Sequence, residues 1–218
     1  MANTLEFDSL ELWFEKRPIL SGIYMKCAAG EVVGILGRNG SGKSSLMKIV
    51  FGSLKASHQS IRINGESLAY DFIEKRLIGY LPQENLIPSF LSIRKAMKLF
   101  GIDEGEIIKA FPETEAALEL YPQQLSAGSL RIIEALLILK SKALFCILDE
   151  PFSGLMPVNI DKLKQIIAEE KKKKGIMITD HLYRHVLSLT DRLYLLANGR
   201  TYQVKDEGDL MARGYLNP

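Results

Sequence analysis

The sequence predicts an α/β domain built on a mainly parallel sheet, and three observations carry that reading. Short runs that are apolar at nearly every position recur, at Val32-Val33-Gly34-Ile35-Leu36, Ala143 to Leu148 and Ile176 to Thr179. Such runs are what strands covered on both faces look like. Helical patterns separate them, which is the alternation of a parallel α/β sheet. A glycine-rich stretch then joins the first of these runs directly to a helix, the setting in which a phosphate-binding loop is formed.

The elements follow in order. Leu10, Leu12 and Phe14, then Ile19, Ile23, Met25 and Cys27, predict two antiparallel strands joined at Glu15-Lys16-Arg17-Pro18. After the glycine-rich stretch, Ser45 to Val50 reads as a helix. Ile61-Arg62-Ile63 is a strand entering a turn at Asn64-Gly65. Leu77 to Leu81 is a short strand ended by Pro82. From Ser92 to about Leu120 the patterns are helical but broken near Gly101 and Pro112, and they predict a helical subdomain inserted over about 84–126 of one domain spanning 1–218. Leu130 to Leu139 is apolar almost all round and predicts a helix buried on most sides. Pro157 opens the next helix, where its missing N–H costs nothing. Lys171 to Lys174 suit that helix's C-terminal end as solvated cations, with Gly175 as its left-handed cap. Arg192 to Leu196 is a last strand, turning at Asn198-Gly199.

The glycine-rich stretch is Gly37-Arg38-Asn39-Gly40-Ser41-Gly42-Lys43-Ser44, a match to G-x-x-x-x-G-K-S/T between strand and helix. Its glycines let consecutive N–H groups turn inward, and the helix N-terminus adds its positive end. Lys43 is then expected to reach the β- and γ-phosphates of a nucleotide, and the Ser44 hydroxyl to bind Mg²⁺. Two acids, Asp149 and Glu150, end a buried strand. In open parallel sheets ligands sit at strand carboxyl ends, so Asp149 is expected at Mg²⁺ and Glu150 at the attacking water.

Composition excludes several classes. The 218 residues carry a net charge of +2, too little to argue for nucleic acid. The first residues lack a basic segment followed by an apolar one, so no secretory signal is expected. No apolar run approaches the length of a membrane span. Cys27 and Cys146 stand in apolar, strand-like contexts and are expected as buried, reduced thiols.

The ordered set of motifs resembles an ATP-binding cassette (ABC) ATPase over nearly the full chain. Gln83 matches the family's glutamine loop, Leu125-Ser126-Ala127-Gly128-Ser129 its L-S-G-G-Q signature, and Ser153-Gly154-Leu155-Met156 its S-A/G-L-D loop. His181, after Ile178-Thr179-Asp180, matches the switch histidine, and Phe14 the aromatic that stacks on adenine, with Trp13 as the alternative stacker. The resemblance implies a P-loop NTPase (RecA-like) core with an antiparallel β subdomain and a helical insert. It implies ATP contacts at Phe14, Gly37, Arg38, Asn39, Gly40, Ser41, Gly42, Lys43, Ser44 and Ser45, and metal contacts at Ser44, Gln83 and Asp149. Catalysis would involve Glu150, His181, Lys43 and Gln83. Ser126, Ala127 and Gly128 would act in trans, on ATP held by a second cassette packed head to tail.

Ala127, Ser129 and Met156 depart from the family pattern, and an alanine methyl is unfavourable if position 127 needs positive φ. Within the family the chain is similar to the cassettes of lipopolysaccharide export and branched-chain amino-acid uptake. That similarity implies a cytoplasmic ATPase, peripheral to the inner face of the membrane, which drives separate integral membrane subunits docked near Leu86, Ile87, Pro88, Phe90, Leu91 and Met97. No nucleic-acid partner is expected. A soluble non-transport ABC ATPase and a partly degenerate cassette acting in a heterodimer are the alternative readings.

Overall fold

The computed structural model describes residues 2–67 and 75–216; residues 1, 68–74 and 217–218 of the expected single-domain span lie outside that description. The chain opens with a hairpin of β1 (Thr4–Phe14) and β2 (Arg17–Ala28). The turn is tighter than the sequence predicts, because Glu15 takes φ 55° and Arg17 and Pro18 already belong to β2. β4 (His58–Ile63) and β5 (Glu66–Ser67) complete a four-stranded antiparallel sheet in the order β2-β1-β4-β5. Asn64 and Gly65, both at positive φ, make the β4–β5 turn.

The second sheet is the parallel one. β3 (Val32–Leu36), β6 (Ile78–Leu81), β7 (Phe145–Asp149), β8 (Gly175–Thr179) and β9 (Arg192–Ala197) run parallel, and β10 (Arg200–Val204) adds an antiparallel edge. The order is β10-β9-β3-β8-β7-β6. Period-two alternation divides each strand between two cores. Val33, Ile35, Ile147 and Met177 face the core that holds α1 (Lys43–Phe51) and the antiparallel sheet. Val32, Leu36, Leu148 and Ile178 face the core shared with α4 (Ala127–Lys140) and α5 (Pro157–Glu170). That second core also takes up α2 (Ile93–Phe100) and α3 (Glu104–Ala110), which lie between β6 and α4 with two short 3₁₀ turns. α6 (Tyr183–Leu189) and α7 (Glu207–Ala212) complete the described elements.

Two expectations are corrected here. Gly175 is no helix cap: it opens β8, where an added Cβ would stand 2.7 Å from the Phe145 ring and 2.8 Å from Cys27 Sγ. The lysine run is only partly solvated. Lys171 pairs with Asp191 at 2.8 Å, and Lys174 is buried, its Nζ donating to the carbonyls of Leu139 and Ser141, each at 2.7 Å. Those carbonyls are the unpaired end of α4, so a cation from another element caps it. Cys27 and Cys146 are buried free thiols, and burial pushes the Cys146 thiol up to about 12.

Candidate functional site

Parallel strands share an edge at their carboxyl ends, and this edge gathers the expected residues. β3 runs into the glycine-rich loop, β6 into Pro82-Gln83, β7 into Asp149-Glu150 and β8 into Asp180-His181. The loop needs its glycines for backbone conformation and for space. Gly40 and Gly42 have φ 75° and 101°, and Gly42 is the left-handed residue from which α1 starts. A Cβ on Gly37 would lie 2.6 Å from Ser41 Oγ and 2.7 Å from the Leu196 carbonyl.

Lys43 is buried at the first position of α1 and folds over the loop, donating to the Gly37 carbonyl at 2.7 Å and that of Arg38 at 3.2 Å. Burial holds its ammonium below the usual lysine range, against the opposing pull of Asp149 and Glu150. Cation and acids therefore occupy one site. Asp149 is 1% exposed. Burial raises its carboxyl, offset in part by the Ser44 hydroxyl and by Tyr80, whose phenol donates to Oδ2 at 3.3 Å.

Glu150 is the convergence point. Its Oε1 lies 2.6 Å from His181 Nε2, and its Oε2 accepts from Gln83 Nε2 at 3.2 Å. Its φ is 57°, a left-handed backbone that costs a non-glycine residue roughly 1–3 kcal/mol. That conformation bends the chain off the end of β7 while the Glu150 N–H still reaches the Thr179 carbonyl at 2.8 Å.

A model of the ABC transporter family matches residues 20–153. The chain belongs to that family. It is similar to the lipopolysaccharide export system ATP-binding protein LptB of Haemophilus influenzae, 31% identical over 213 residues, covering 90% of this chain and 88% of that protein. It is also similar to the high-affinity branched-chain amino acid transport ATP-binding protein BraG of Pseudomonas aeruginosa, 28% identical, covering 90% of each chain. A solved structure of an ATP binding subunit of an ABC transporter superposes with a TM-score of 0.83 at 26% identity, over 98% of this chain and 95% of that one. The protein is thus an ATP-binding ABC transporter subunit, an ATPase of the P-loop α/β fold.

The segment that matches the family signature caps α4. The Ser126 hydroxyl accepts from the Ser129 N–H at 3.1 Å and lies 2.8 Å from Ser129 Oγ. Ala127 has no positive φ, so as the first helical residue it tolerates its methyl group, and the strain the sequence raised does not arise. Gly128 is the demanding position, because a Cβ there would meet the Gly154 carbonyl at 2.7 Å. Met156 stands at the N-cap of α5, two-thirds exposed and without a side-chain cap bond.

Phe14 and Trp13 are both about half exposed at the end of β1, and they pair with Arg17 and Pro18 respectively. Arg17, Pro18 and Ile19 line a cavity of about 410 Å³ with the loop residues Arg38, Asn39, Gly40 and Ser41. Arg38 does more than shape the loop: its guanidinium donates to the Gly214 carbonyl at 2.7 Å, tying the loop to the C-terminal segment.

Sequence reasoning missed four side chains here. Tyr80 touches Asp149. Asp180 accepts from the Phe152 and Leu182 N–H groups, both at 2.9 Å, and so holds the chain beyond Glu150 against the turn carrying His181. Arg131 and Glu134, on a helix that reads as apolar almost all round, are buried, and Arg131 donates to the carbonyls of the acid pair. The exception to apolarity at those two positions was the available signal.

A groove of about 490 Å³ opens on the β6 side, lined by Phe51, Tyr80, Leu86, Leu99 and Phe100 among others. Of the residues expected to dock a partner, Leu86 lines this groove and Phe90 is exposed, whereas Ile87 and Met97 are buried in the core.

Proposed function

We propose that this cassette closes Mg²⁺–ATP between its own phosphate loop and the signature turn of a second cassette, and couples hydrolysis to a separate membrane subunit. The convergence of His181 and Gln83 on the carboxylate of Glu150 supports this reading most directly. Glu150 accepts the proton of the attacking water, Gln83 orients that water, and His181 senses the γ-phosphate. Lys43 and the inward N–H groups from Gly37 to Ser45 hold the phosphates. Phe14 offers a half-exposed ring to the base.

The residues present fit a divalent cation. Asp149 Oδ1 is buried without a hydrogen-bond partner among the described residues, an acceptor of the hard oxygen type such an ion prefers. Ser44, Asp149 and Gln83 would hold it, and it would offset phosphate charge. Ser126 with the Ala127 and Gly128 N–H groups, all at or near the surface, presents the helix end to the other cassette's γ-phosphate. Loss of that phosphate on hydrolysis removes the link and lets the halves part.

Residues 84–126 act as the helical subdomain that borders the groove. An apolar segment of an integral membrane subunit seats there, which places the cassette at the cytoplasmic face of the membrane. Among the described residues no helix is long and apolar enough to cross a membrane. The likeness to LptB and BraG favours transport over a nucleic-acid or ribosome role. The exposed departures at Ala127, Ser129 and Met156 favour a second reading of the dimer, in which a different cassette supplies the partner signature.

The test is a detergent pull-down of tagged Glu150→Gln protein with ATP and Mg²⁺. An integral membrane protein should copurify, together with a second cassette where the dimer is mixed. Recovery of RNA or ribosomes in its place would overturn the transport assignment.

A further inference from the structure

We infer that Arg131 is a positioning residue for hydrolysis, its guanidinium fixing the main chain of Asp149 and Glu150 to that of the glutamine loop. The inference rests on the reading of Glu150 as the group that takes the water proton.

Arg131 lies in the second turn of α4 and is 7% exposed. Its Nη2 donates to the Asp149 carbonyl, its Nε to the Glu150 carbonyl at 3.2 Å and its Nη1 to the Pro82 carbonyl at 2.7 Å. One planar fork thus bridges the ends of β7 and β6, the strands that deliver the acid pair and Gln83. A lysine is a point donor and cannot span the three carbonyls. The clamped backbone is the one at φ 57°, a conformation that persists only where its surroundings over-determine it.

Glu134, one turn further along α4, extends the brace. Its Oε2 lies 3.7 Å from Arg131 Nη1, and its Oε1 accepts from the Leu86 and Ile87 N–H groups at 2.7 and 3.0 Å. Leu86 lines the groove. Arg131 therefore stands between three functional segments: the Ser126 turn that opens its own helix, the acid pair, and the chain leading into the groove. A cation that merely satisfied the core would need no such convergence on carbonyls next to the reacting carboxylate.

The experiment compares steady-state and single-turnover phosphate release by the full chain carrying Arg131→Lys, Arg131→Gln, Glu150→Gln and the Arg131→Lys/Glu150→Gln pair. The Arg131 variants should lose about 10- to 100-fold in kcat, the scale of a misplaced catalytic group, while KM and equilibrium ATP binding stay within about threefold. Because Arg131 acts through Glu150, the double variant should match Glu150→Gln within about twofold. Losses that multiply, or a KM that rises as far as kcat falls, would overturn the assignment.

Should the Arg131 variants fail to fold, Glu134→Gln decides. It keeps volume and the acceptor for Leu86 and Ile87 but drops the charge facing Arg131, and a kcat equal to wild type sinks the brace. The two readings fail separately. Unchanged phosphate release in Glu150→Gln removes the base and this inference with it, whereas an inactive Glu150→Gln beside a fully active Arg131→Lys removes the inference alone.

Discussion

The two halves of the proposed site, a buried one assigned to this chain's own nucleotide and an exposed one assigned to a partner's, are built in opposite ways. Lys43, Asp149 and Glu150 retain 8%, 1% and 8% of their exposure, and each is held by hydrogen bonds or by the charge of the others. Ser126, Ala127, Ser129 and Met156 are exposed, and among the described residues the Ser126 hydroxyl is engaged only by its own turn. All three departures from the family pattern, Ala127, Ser129 and Met156, fall on the exposed half. The buried half is constrained because moving one group leaves another charge unpaired in low dielectric. The exposed half carries no comparable internal charge pairing, and exposed substitutions of that kind cost little.

The largest expected effect tests the buried half. Glu150→Gln should lower phosphate release by about 100-fold or more and leave equilibrium ATP binding within about threefold, since the phosphate cradle is untouched. Comparable losses in both measurements would show that the acid supports the loop as well as the chemistry.

The next largest falls where the two halves touch. Gly128→Ala drives a methyl into the Gly154 carbonyl, 2.7 Å from the added Cβ, and neither backbone can yield cheaply. Denaturant titration should show a loss of about 1–3 kcal/mol, and ATP-dependent dimerisation should weaken with it. An unchanged midpoint would mean that the two loops move apart freely, and the division between rigid and free halves would then run elsewhere.

A smaller effect comes from restoring the family signature. Ser129→Gln together with Ala127→Gly releases the Ser126 hydroxyl from the 2.8 Å Ser129 contact and should raise the turnover of the isolated protein severalfold if two copies pair. A fall in turnover would indicate that the natural partner surface is matched to serine, as in a heterodimer.

The smallest concerns Met156. An aspartate there supplies the absent N-cap of α5 and should stabilise the chain by about 1 kcal/mol, visible as a rise in Tm of about 2–4 °C. No change in Tm would place the α5 N-terminus under tertiary rather than capping control.

Much of the site was legible because its parts are local. The glycine-rich loop is one uninterrupted segment whose glycine spacing and flanking strand and helix can be read together, and Asp149-Glu150 takes its reading from ending an apolar run in a chain that carries that loop. Pro157 marked the start of α5 correctly. Reading failed where a residue's role is set by a distant neighbour. Lys174 looks like a solvated helix end and is buried against the last carbonyls of α4. Gly175 looks like a cap and is a strand residue chosen for close packing. Ile87 and Met97 look like docking residues and belong to the core.

By itself the sequence determined the glycine pattern of the loop and its flanking strand and helix, the position of the acid pair at a strand end and the order of the motifs. These depend on backbone conformation and side-chain type over a few consecutive residues, which covalent connectivity already specifies. Only the tertiary structure decided which groups brace them: Arg131 across β6 and β7, Tyr80 on Asp149, Asp180 between two loops, Arg38 on Gly214. Apart from the bond from Leu182 to Asp180, each of those contacts joins residues far apart in the chain. Its existence depends on which strand lies beside which and which helix face turns inward, and that is decided by burying two apolar cores at once.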